Sequence, residues 1–468
     1  MKVLKFGGTS VGTVRSLENV KKIVEGIGGQ VIVVVSALGG LTDRLIASAE
    51  MARRHDSGYE TELETMTRRH HEIIDALVPL SRRDDVKARV DFLLAELRRI
   101  YDGVAMLGEL TERTQDSIVS FGERMSSIVV ANIISDARHY NSPDFIKTEK
   151  WFNKNIADTD LTTSLIRRTF AGGDFSIAVT GGFISTDRDS GEITNLGRGG
   201  SDYTAALIAA ALDAEVLEIW TDVDGFMTAD PRLIPEARVV GHMTFIESME
   251  LCTMGAKVIY PPTIYPVFHK NIPIRILNTF NPSAEGTWVT DNSRPDDMAV
   301  KGVSSIRNTT LIRVDGASPA EVNSEDINSR TYNAMTKNGV NVYLVNSLDS
   351  SAFTFAVNAA DSGNAIKILT DEFSPELTRG ELENISATYR LATIAVVGEK
   401  MHSRPWLLPQ LVTLLAGAGI KIHATSDGSS DTTISLVVGA DRSDEAIRLI
   451  HDRIYCDNDN ANGGAFSH

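Results

Sequence analysis

A lysine followed by two glycines near the N-terminus is the first candidate site for an anion. Lys5 lies in a short apolar run, Gly7 and Gly8 follow it, and Thr9 and Ser10 come next. Glycines let backbone N–H groups approach a phosphate, and a helix that follows directs its positive end towards it. A tight strand-to-helix turn would also explain the glycines, but the lysine and the hydroxyl residues favour an anion site. The motif is neither a P-loop nor a dinucleotide fingerprint.

An arginine enclosed by glycines forms a second candidate site. In NLGRGGSDYTAA, residues 195–206, Arg198 precedes Ser201 and Asp202, which open an apolar helical run. Ser201 suits the N-cap, and Asp202 suits the first turn, where a negative charge complements the helix dipole. Capping does not explain the arginine, whose planar guanidinium can bind a carboxylate through two hydrogen bonds. The segment therefore predicts an anion clamp at the start of a helix.

Glu123 and Arg124 follow a glycine in FGERMSS, residues 121–127, just before an apolar helical run. The two charges could be a solvated pair at a helix start. Alternatively, Glu123 could bind the ammonium group of a zwitterionic substrate. The sequence leaves both interpretations open.

Three aspartates lie in a turn-rich segment after a strand-like run, in WTDVDGFMTADPR at residues 220–232. The spacing of Asp222, Asp224 and Gly225 resembles the start of a calcium loop, but the glutamate at the twelfth position of such a loop is absent. A nucleotide-binding loop, with Thr221 and Asp222 on the base or ribose, fits better.

Lys257 lies in GAKVIYPP, residues 255–262, where prolines end the element. A lone lysine is usually solvated. Together with Lys5, however, it would place two cations around a transferring phosphoryl group.

The composition is that of a globular protein with several domains. The chain has 468 residues, 42% of them hydrophobic and 23% charged, which is longer than one hydrophobic core usually serves. The formal net charge of −16 argues against a protein that coats nucleic acid or an anionic membrane, although a few local cations can still bind a small anion. Cys252 and Cys456 are too few for a disulfide framework and lack metal-ligand spacing. Because the sequence shows no signal peptide and no apolar run of membrane-spanning length, we expect a cytoplasmic protein. We also expect no metal site of its own.

Alternating strands and helices position these motifs in the first part of the chain. The predicted strands are 3–6, 31–36, 175–179 and 215–221. Helical periodicity occurs at 14–26 and from Asp202, and a long charged stretch at 41–118 predicts a helical insertion or lid. Such alternation implies a mostly parallel sheet with ligands at the carboxyl ends of its strands, where the strongest motifs fall.

Two similar units follow a turn-rich margin at 281–300. The pattern of each unit predicts a strand, a helix, two strands and a helix. Gly339 and Gly419 occupy corresponding positions in the two units. A repeat of βαββα units explains this match.

Six segments occur in the order found in aspartate kinases of the amino-acid kinase superfamily, which the chain resembles over nearly its whole length. They are KFGGTS, VSALGGLTD, FGERMSS, NLGRGGSDYTAA, WTDVDGFMTADPR and MGAKVIYPP. The C-terminal repeat is similar to the family's pair of ACT regulatory domains. The chain also resembles the kinase half of bifunctional aspartokinase–homoserine dehydrogenases, and since no dinucleotide fingerprint follows residue 450, we expect no dehydrogenase here.

The resemblance implies an α/β fold, an αβα sandwich of the amino-acid kinase type with a helical insertion, followed by two α+β ACT domains of ferredoxin-like βαββαβ topology. The catalytic domain would cover 1–298, with the insertion at 41–118. The ACT domains would cover 299–390 and 391–468, and a first strand near 300–306 could pair into the second of them.

The implied activity is the ATP-dependent phosphorylation of the β-carboxylate of L-aspartate to 4-phospho-L-aspartate, which begins the route to lysine, threonine, methionine and isoleucine. Mg²⁺ would be carried with the nucleotide. Besides aspartate and ATP, the implied partners are an amino-acid effector, such as lysine or threonine, and further copies of the chain in a homodimer or larger homo-oligomer joined through the ACT domains. Neither nucleic acid nor a membrane is expected as a partner.

Carried over position by position, the resemblance implies three sets of residues. Lys5 and Asp202 would be catalytic. Arg198 would bind the α-carboxylate of aspartate and Glu123 its ammonium group. The whole aspartate site would consist of Thr42, Glu123, Phe183, Arg198, Gly199, Gly200 and Ser201. The ATP site would consist of Lys5, Gly7, Gly8, Thr9, Thr221, Asp222, Met227, Arg232, Lys257 and Val258.

Departures from the family pattern affect the nucleotide side and the effector. Met227 and Tyr260 stand where the family commonly has tyrosine and histidine. Neither the lysine-sensing nor the threonine-sensing pattern is met, so the effector stays open. Candidate effector contacts, which could also be polar strand ends at a dimer interface, are Asn341, Asn346 and Ser347.

Two other functions stay open. Another amino-acid kinase, such as a glutamate 5-kinase or an acetylglutamate kinase, is the nearest alternative, although Arg198 with Glu123 favours a free α-amino acid and paired ACT units favour aspartate. The second is a non-catalytic amino-acid sensor on a kinase scaffold. Five retained polar residues argue against it, namely Lys5, Glu123, Arg198, Asp202 and Lys257.

Overall fold

The computed structural model describes residues 1–151, 154–294, 298–316, 324–349, 352–426 and 431–456. The chain divides into two compact units. The first consists of Met1–Phe226, Val239–Phe245 and Val258–Ser293, and the second of Met227–Arg238, Ile246–Lys257 and Arg294–His468.

The first unit contains the elements of an α/β domain. Its strands are β1 (Lys2–Phe6), β2 (Val31–Val35), β3 (Ala137–Tyr140), β4 (Lys147–Trp151), β5 (Lys154–Ala157), β6 (Ile177–Gly181), β7 (Ile184–Asp187), β8 (Ile193–Asn195), β9 (Val216–Thr221), β10 (His242–Thr244), β11 (Ile274–Asn278) and β12 (Thr287–Thr290). Its helices are α1 (Val14–Glu25), α2 (Leu41–Arg53), α3 (Gly58–Leu77), α4 (Arg83–Leu107), α5 (Glu112–Ile133), α6 (Thr159–Phe170), α7 (Gly200–Ala211), α8 (Phe245–Thr253), which begins in this unit, and α9 (Ile264–Phe268).

The described strands of this unit form a large and a small sheet. The large sheet has the order β10–β12–β11–β9–β1–β2–β6–β3, and the small one has the order β5–β4–β7–β8. β1 pairs in parallel with β2 and β9, and β2 pairs in parallel with β6. All of β2 (VIVVV) is buried, as expected of a central parallel strand covered on both faces. The carboxyl ends of β9, β1, β2 and β6 therefore meet at one edge of the sheet.

The charged stretch predicted to be helical consists of α2, α3, α4 and the start of α5. Apolar residues of these helices, among them Leu45, Tyr101 and Phe121, share one buried core with β1 and β2. Hydrophobic periodicity thus identified the helices correctly. None of the described helices combines the length and the apolar content that a bilayer-spanning segment needs.

The second unit contains the repeated part of the chain. Its strands are β13 (Val300–Gly316), β14 (Val342–Asp349), β15 (Ala352–Asn358), β16 (Leu382–Gly398), β17 (Ile422–Ser426) and β18 (Thr433–Gly439), and its helices are α10 (Ser324–Lys337), α11 (Ser362–Glu372), α12 (Ser374–Arg379), α13 (Leu407–Gly417) and α14 (Ser443–Tyr455). The described strands form one sheet of the order β14–β15–β13–β16–β18–β17.

The two long strands of this sheet serve both repeats. Residues 309–316 of β13 pair with β15 and with the first part of β16, whereas residues 300–306 pair with residues 393–398 of β16. Each βαββα unit therefore receives a further strand from the other. Gly339 and Gly419 each follow a helix with φ of 71° and 70°, a left-handed conformation that glycine adopts without strain. The α/β class, with a repeated α+β part after it, is confirmed.

Candidate active site

A cavity of about 430 Å³ opens in the first unit at the carboxyl ends of the parallel strands. Lys5 near the end of β1 and Ser36 just after β2 reach it, and α5 and the start of α7 line it. Ligands of open α/β sheets bind at this edge. The lining residues are Lys5, Ser36, Thr42, Ile46, Gln115, Asp116, Val119, Glu123, Phe183, Asn195, Gly197, Arg198, Gly199, Gly200, Ser201 and Asp202.

This lining brings together every residue expected in the aspartate site and both residues expected to be catalytic. Their roles remain predictions. Sequence reasoning missed seven further residues, which are Ser36, Ile46, Gln115, Asp116, Val119, Asn195 and Gly197. A signal existed for two of them, because Asp116 and Val119 precede Glu123 at i−7 and i−4 and so share a face of α5.

Lys5 and Asp202 form the closest ion pair of the cavity, with 2.6 Å between Lys5 Nζ and Asp202 Oδ1. Lys5 is on β1, and Asp202 is in the first turn of α7. The two side chains are only 12% and 13% exposed, so water screens this pair poorly. Asp202 therefore fixes the position of the lysine charge at the cavity wall.

Glu123 has one carboxylate oxygen without a partner. Its Oε1 accepts a hydrogen bond from the N–H of Ala37 at 3.0 Å, whereas its buried Oε2 has no hydrogen-bond partner among the described residues. Burial raises the pKa of Glu123 to about 7, against the lowering effects of the Ala37 N–H and of Lys5. A cationic ligand at Oε2 would return the carboxyl to its ionised form. This geometry favours the interpretation of Glu123 as an ammonium site over that of a solvated charge.

We expect Glu123→Gln to make the protein more stable than the parent at pH 8 but not at pH 5. The carboxyl titrates near 4.5 when unfolded and near 7 when folded, so the folded state binds more protons between these values. Its stability therefore falls as the pH rises through this interval. Urea unfolding at pH 5, 6, 7 and 8 should show a difference between variant and parent that grows by on the order of 3 kcal/mol. A difference independent of pH would contradict the raised pKa; Glu64→Gln, on the exposed face of α3, is the matched control.

Arg198 is at the corner of a tight turn. The N–H of Gly200 donates to the carbonyl of Gly197 at 3.0 Å, and Gly199 has φ of 71° and ψ of 11°, the values of the third residue of a type II turn. Arg198, the second residue of the turn, is exposed and forms no ion pair within the described part of the chain. An unpaired guanidinium and an unpartnered carboxylate oxygen therefore line the same cavity.

The predicted N-cap of the following helix is wrong. Gly199 is the N-cap of α7, and Ser201 lies inside the first turn. The left-handed Gly199 ends the turn and starts the helix at once, so Ser201 is free to present its hydroxyl to the cavity. A Cβ at Gly199 would lie 2.3 Å from Cβ of Tyr260, which shows that Tyr260, one of the departures from the family pattern, packs directly on this turn.

Phe183 lines the cavity next to the Arg198 turn and has a left-handed conformation, with φ of 68°. Its N–H donates to Thr204 Oγ1 at 3.0 Å, and its carbonyl accepts from the N–H of Leu196 at 2.9 Å. Positive φ at a phenylalanine is strained and is found where surrounding contacts enforce it, often at functional sites.

The predicted phosphate loop packs against a second glycine turn. A Cβ added at Gly39 would lie 2.9 Å from the carbonyl oxygen of Gly8, so the two backbones touch where no side chain would fit. Gly7 donates its N–H to the carbonyl of Trp220 at 3.2 Å, which ties the loop to the end of β9. Thr9 is exposed at the tip. The loop is therefore a backbone surface beside Lys5, as an anion site requires.

The residues predicted for the ATP site fall in both units. Thr221 ends β9 beside β1, and its hydroxyl donates to Asp222 Oδ1 at 3.2 Å. Val258 belongs to the first unit, whereas Met227, Arg232 and Lys257 belong to the second. The Arg232 guanidinium is bound to Asp230, with 2.7 Å between Nη2 and Oδ2, and is 84% exposed. Lys257 is exposed in the loop after α8.

The predicted effector contacts lie at the edge of the second unit. Asn341 is exposed just before β14. The backbones of Asn346 and Ser347 pair with Thr354 and Phe353, but their side chains lie outside the described residues. In the same unit, Cys456 groups with His451 and Asp452, whose potential metal-ligand atoms lie within 4.8 Å of one another, a proximity that the spacing of the two cysteines did not indicate.

Comparisons with known proteins agree with the fold and with the motifs. A model of the amino acid kinase family matches residues 1–278, and an ACT domain model matches residues 394–454. The chain is 32% identical over 466 residues to a bifunctional aspartokinase/homoserine dehydrogenase of Haemophilus influenzae, covering 97% of this chain and 56% of that protein. It is 29% identical to aspartokinase 2 of Arabidopsis thaliana, covering 97% and 84%.

The architecture also matches a solved structure, that of E. coli aspartokinase III in complex with aspartate and ADP. The TM-score is 0.84 at 24% identity, with 97% of this chain and 100% of that chain covered, a likeness that concerns the fold. The chain spans about half the length of the bifunctional relatives that it matches. Because the family model covers more than half of its residues, including the whole cavity described above, the chain belongs to the amino acid kinase family.

Proposed function

We propose that the chain transfers the γ-phosphoryl group of ATP to the β-carboxylate of L-aspartate, giving 4-phospho-L-aspartate and ADP. One observation carries the proposal: the unpaired Arg198 guanidinium and the unpartnered Glu123 oxygen line one small cavity. Their opposite charges suit the α-carboxylate and the α-ammonium group of a free amino acid. The names of the similar proteins, aspartokinases, favour aspartate among such acids.

The remaining groups of the cavity suit phosphoryl transfer. This reaction depends mainly on positioning and on neutralising charge, since the bond from the γ-phosphorus to ADP breaks while a bond to the carboxylate oxygen forms. An aspartate β-carboxylate is already ionised near neutral pH, so no general base is needed. The Lys5 ammonium, held by Asp202, would offset the negative charge of the transferring group. Mg²⁺ would enter as part of the nucleotide substrate.

We assign the nucleotide to the glycine loop and the end of β9, where Gly7, Gly8 and Thr9 lie beside Thr221 and Asp222. Met227, Arg232 and Lys257, which the resemblance implies for the ATP site, belong to the second unit, and their role stays a prediction.

We further propose that residues 1–298 form the catalytic domain and that 299–390 and 391–468 form two ACT domains which bind an amino-acid effector and join copies of the chain. The repeated βαββα elements and the ACT match at 394–454 support this assignment. Activity titrations with lysine, threonine and methionine, alone and in pairs, would identify the effector, and sedimentation velocity would give the oligomeric state.

A hydroxamate assay with ATP tests the reaction. Hydroxylamine traps an acyl phosphate, so we expect ATP-dependent hydroxamate from aspartate and at most a small amount from glutamate or acetylglutamate. Turnover with either of the latter instead would identify another amino-acid kinase. Binding of aspartate without any turnover would identify a sensor.

A further inference from the structure

Asp116 joins three separate segments of the first unit. It lies half-buried on α5, at the cavity wall. Asn195, at the end of β8, donates from Nδ2 to Asp116 Oδ1 at 2.5 Å, and Asn155 of β5 donates from Nδ2 to Asp116 Oδ2 at 3.3 Å. Both carboxylate oxygens thus accept a hydrogen bond from an amide.

This carboxylate fixes the orientation of the Asn195 amide. A carboxylate only accepts hydrogen bonds, so Asn195 must turn its NH₂ group towards Asp116. Its carbonyl oxygen then points the other way, where it accepts the N–H of Gly197 at 3.0 Å. The two contacts specify the same orientation of the amide, and a flipped amide would lose both.

Gly197 is the first residue of the turn that presents Arg198. Its carbonyl accepts from the N–H of Gly200, which closes the turn. The left-handed φ of Gly197, 71°, leaves the segment without the steric limits that hold other residues in place. The hydrogen bond from Asn195 therefore supplies a restraint that the glycine backbone lacks.

We propose that Asp116 is a positioning residue, which acts through Asn195 and Gly197 to hold the Arg198 turn at the cavity. Its kinetic consequence rests on the proposed phosphorylation of aspartate, because Arg198 is the group that would bind the α-carboxylate of the substrate. We do not assign Asp116 as a ligand of that substrate, because both of its oxygens already accept hydrogen bonds from amides.

Asp116→Asn tests this relay in the full chain. Asparagine has nearly the same shape, but it offers one acceptor to two amide donors. We expect the KM for aspartate to rise roughly tenfold or more, as for a misplaced binding group, while the KM for ATP stays within about twofold. Hydrogen exchange of the peptide covering 195–201 should become faster. Asp174→Asn is the control, because Asp174 pairs only with the exposed Arg138 in the described part of the chain.

Asn195→Ala should reproduce both effects, and the double variant should be no worse than the more affected single variant, since both break one relay. Unchanged aspartate KM and unchanged exchange in Asp116→Asn would overturn the proposal. So would an equal rise of both KM values with faster exchange throughout the unit, the result of a purely structural role. If the parent does not phosphorylate aspartate, the proposed function fails, and the exchange measurement still decides whether Asp116 holds the turn.

Discussion

Arg198→Ala is expected to lower kcat/KM for aspartate by roughly a hundredfold or more, mainly through the KM for aspartate. The guanidinium would bind the α-carboxylate, which does not change during the reaction, so its loss weakens substrate and transition-state binding together. Since Arg198 has no ion pair in the described part of the chain, its removal leaves no buried carboxylate without a partner. Steady-state kinetics with aspartate and with ATP varied in turn separate the two KM values.

Two further variants sharpen this prediction. Arg198→Lys keeps the charge but not the planar fork, so it should recover only part of the affinity for aspartate. Arg138→Ala, which removes an exposed arginine paired with Asp174, should leave both KM values unchanged. An Arg198→Ala enzyme with the parent's KM for aspartate would show that the clamp assignment is wrong.

Lys5→Met is expected to lower kcat by about two to three orders of magnitude, with a smaller effect on the KM for aspartate. Methionine keeps most of the volume and the apolar contacts of the stem, so the variant removes chiefly the charge that would neutralise the transferring phosphoryl group. Single-turnover measurements at saturating aspartate and ATP report the chemical step directly. Lys2→Met is the matched control, because Lys2 is on the same strand and pairs with Glu218 at 3.0 Å, away from the cavity.

The partner of Lys5 adds a second test. In Lys5→Met, Asp202 is left as a largely buried carboxylate without its cation, which should lower the thermal midpoint. Replacing Asp202 by asparagine as well should restore the midpoint and leave kcat low. A Lys5→Met enzyme with near-parental kcat would exclude the lysine from the chemistry. Recovery of kcat in the double variant would show that the single variant lost activity through misfolding.

Local sequence was enough to predict the backbone of the site. A glycine pair after an apolar run predicts a tight turn at a strand end, and Ser201 and Asp202 before an apolar run predict the start of a helix. These features depend on neighbours within a few residues, because allowed φ and ψ angles are set by local steric contacts. The prediction of Ser201 as the N-cap was wrong for a reason that is also local, because the left-handed Gly199 ends the turn and starts the helix two residues earlier.

Contacts between distant segments could not be read from the pattern. Burial raises the pKa of Glu123, and one of its carboxylate oxygens has no partner among the described residues while the other accepts the N–H of Ala37, 86 positions earlier in the chain. The hydrogen bond between Asp116 and Asn195 joins helix α5 to strand β8 of the small sheet. Tyr260 packs on Gly199 from the loop between α8 and α9. Each depends on how whole elements pack.

The sequence by itself determined the α/β class, the helical stretch, the repeated C-terminal units and part of the polar lining of the cavity, namely Lys5, Glu123, Arg198, Ser201 and Asp202. It did so because periodicity and turn chemistry are local, and because parallel strands deliver their carboxyl ends to the same place. Only the tertiary structure decided the electrostatic state of Glu123, the support of the Arg198 turn and the register in which the long strands of the two repeats pair. These depend on burial and on hydrogen bonds between segments far apart in the chain, which no local pattern specifies.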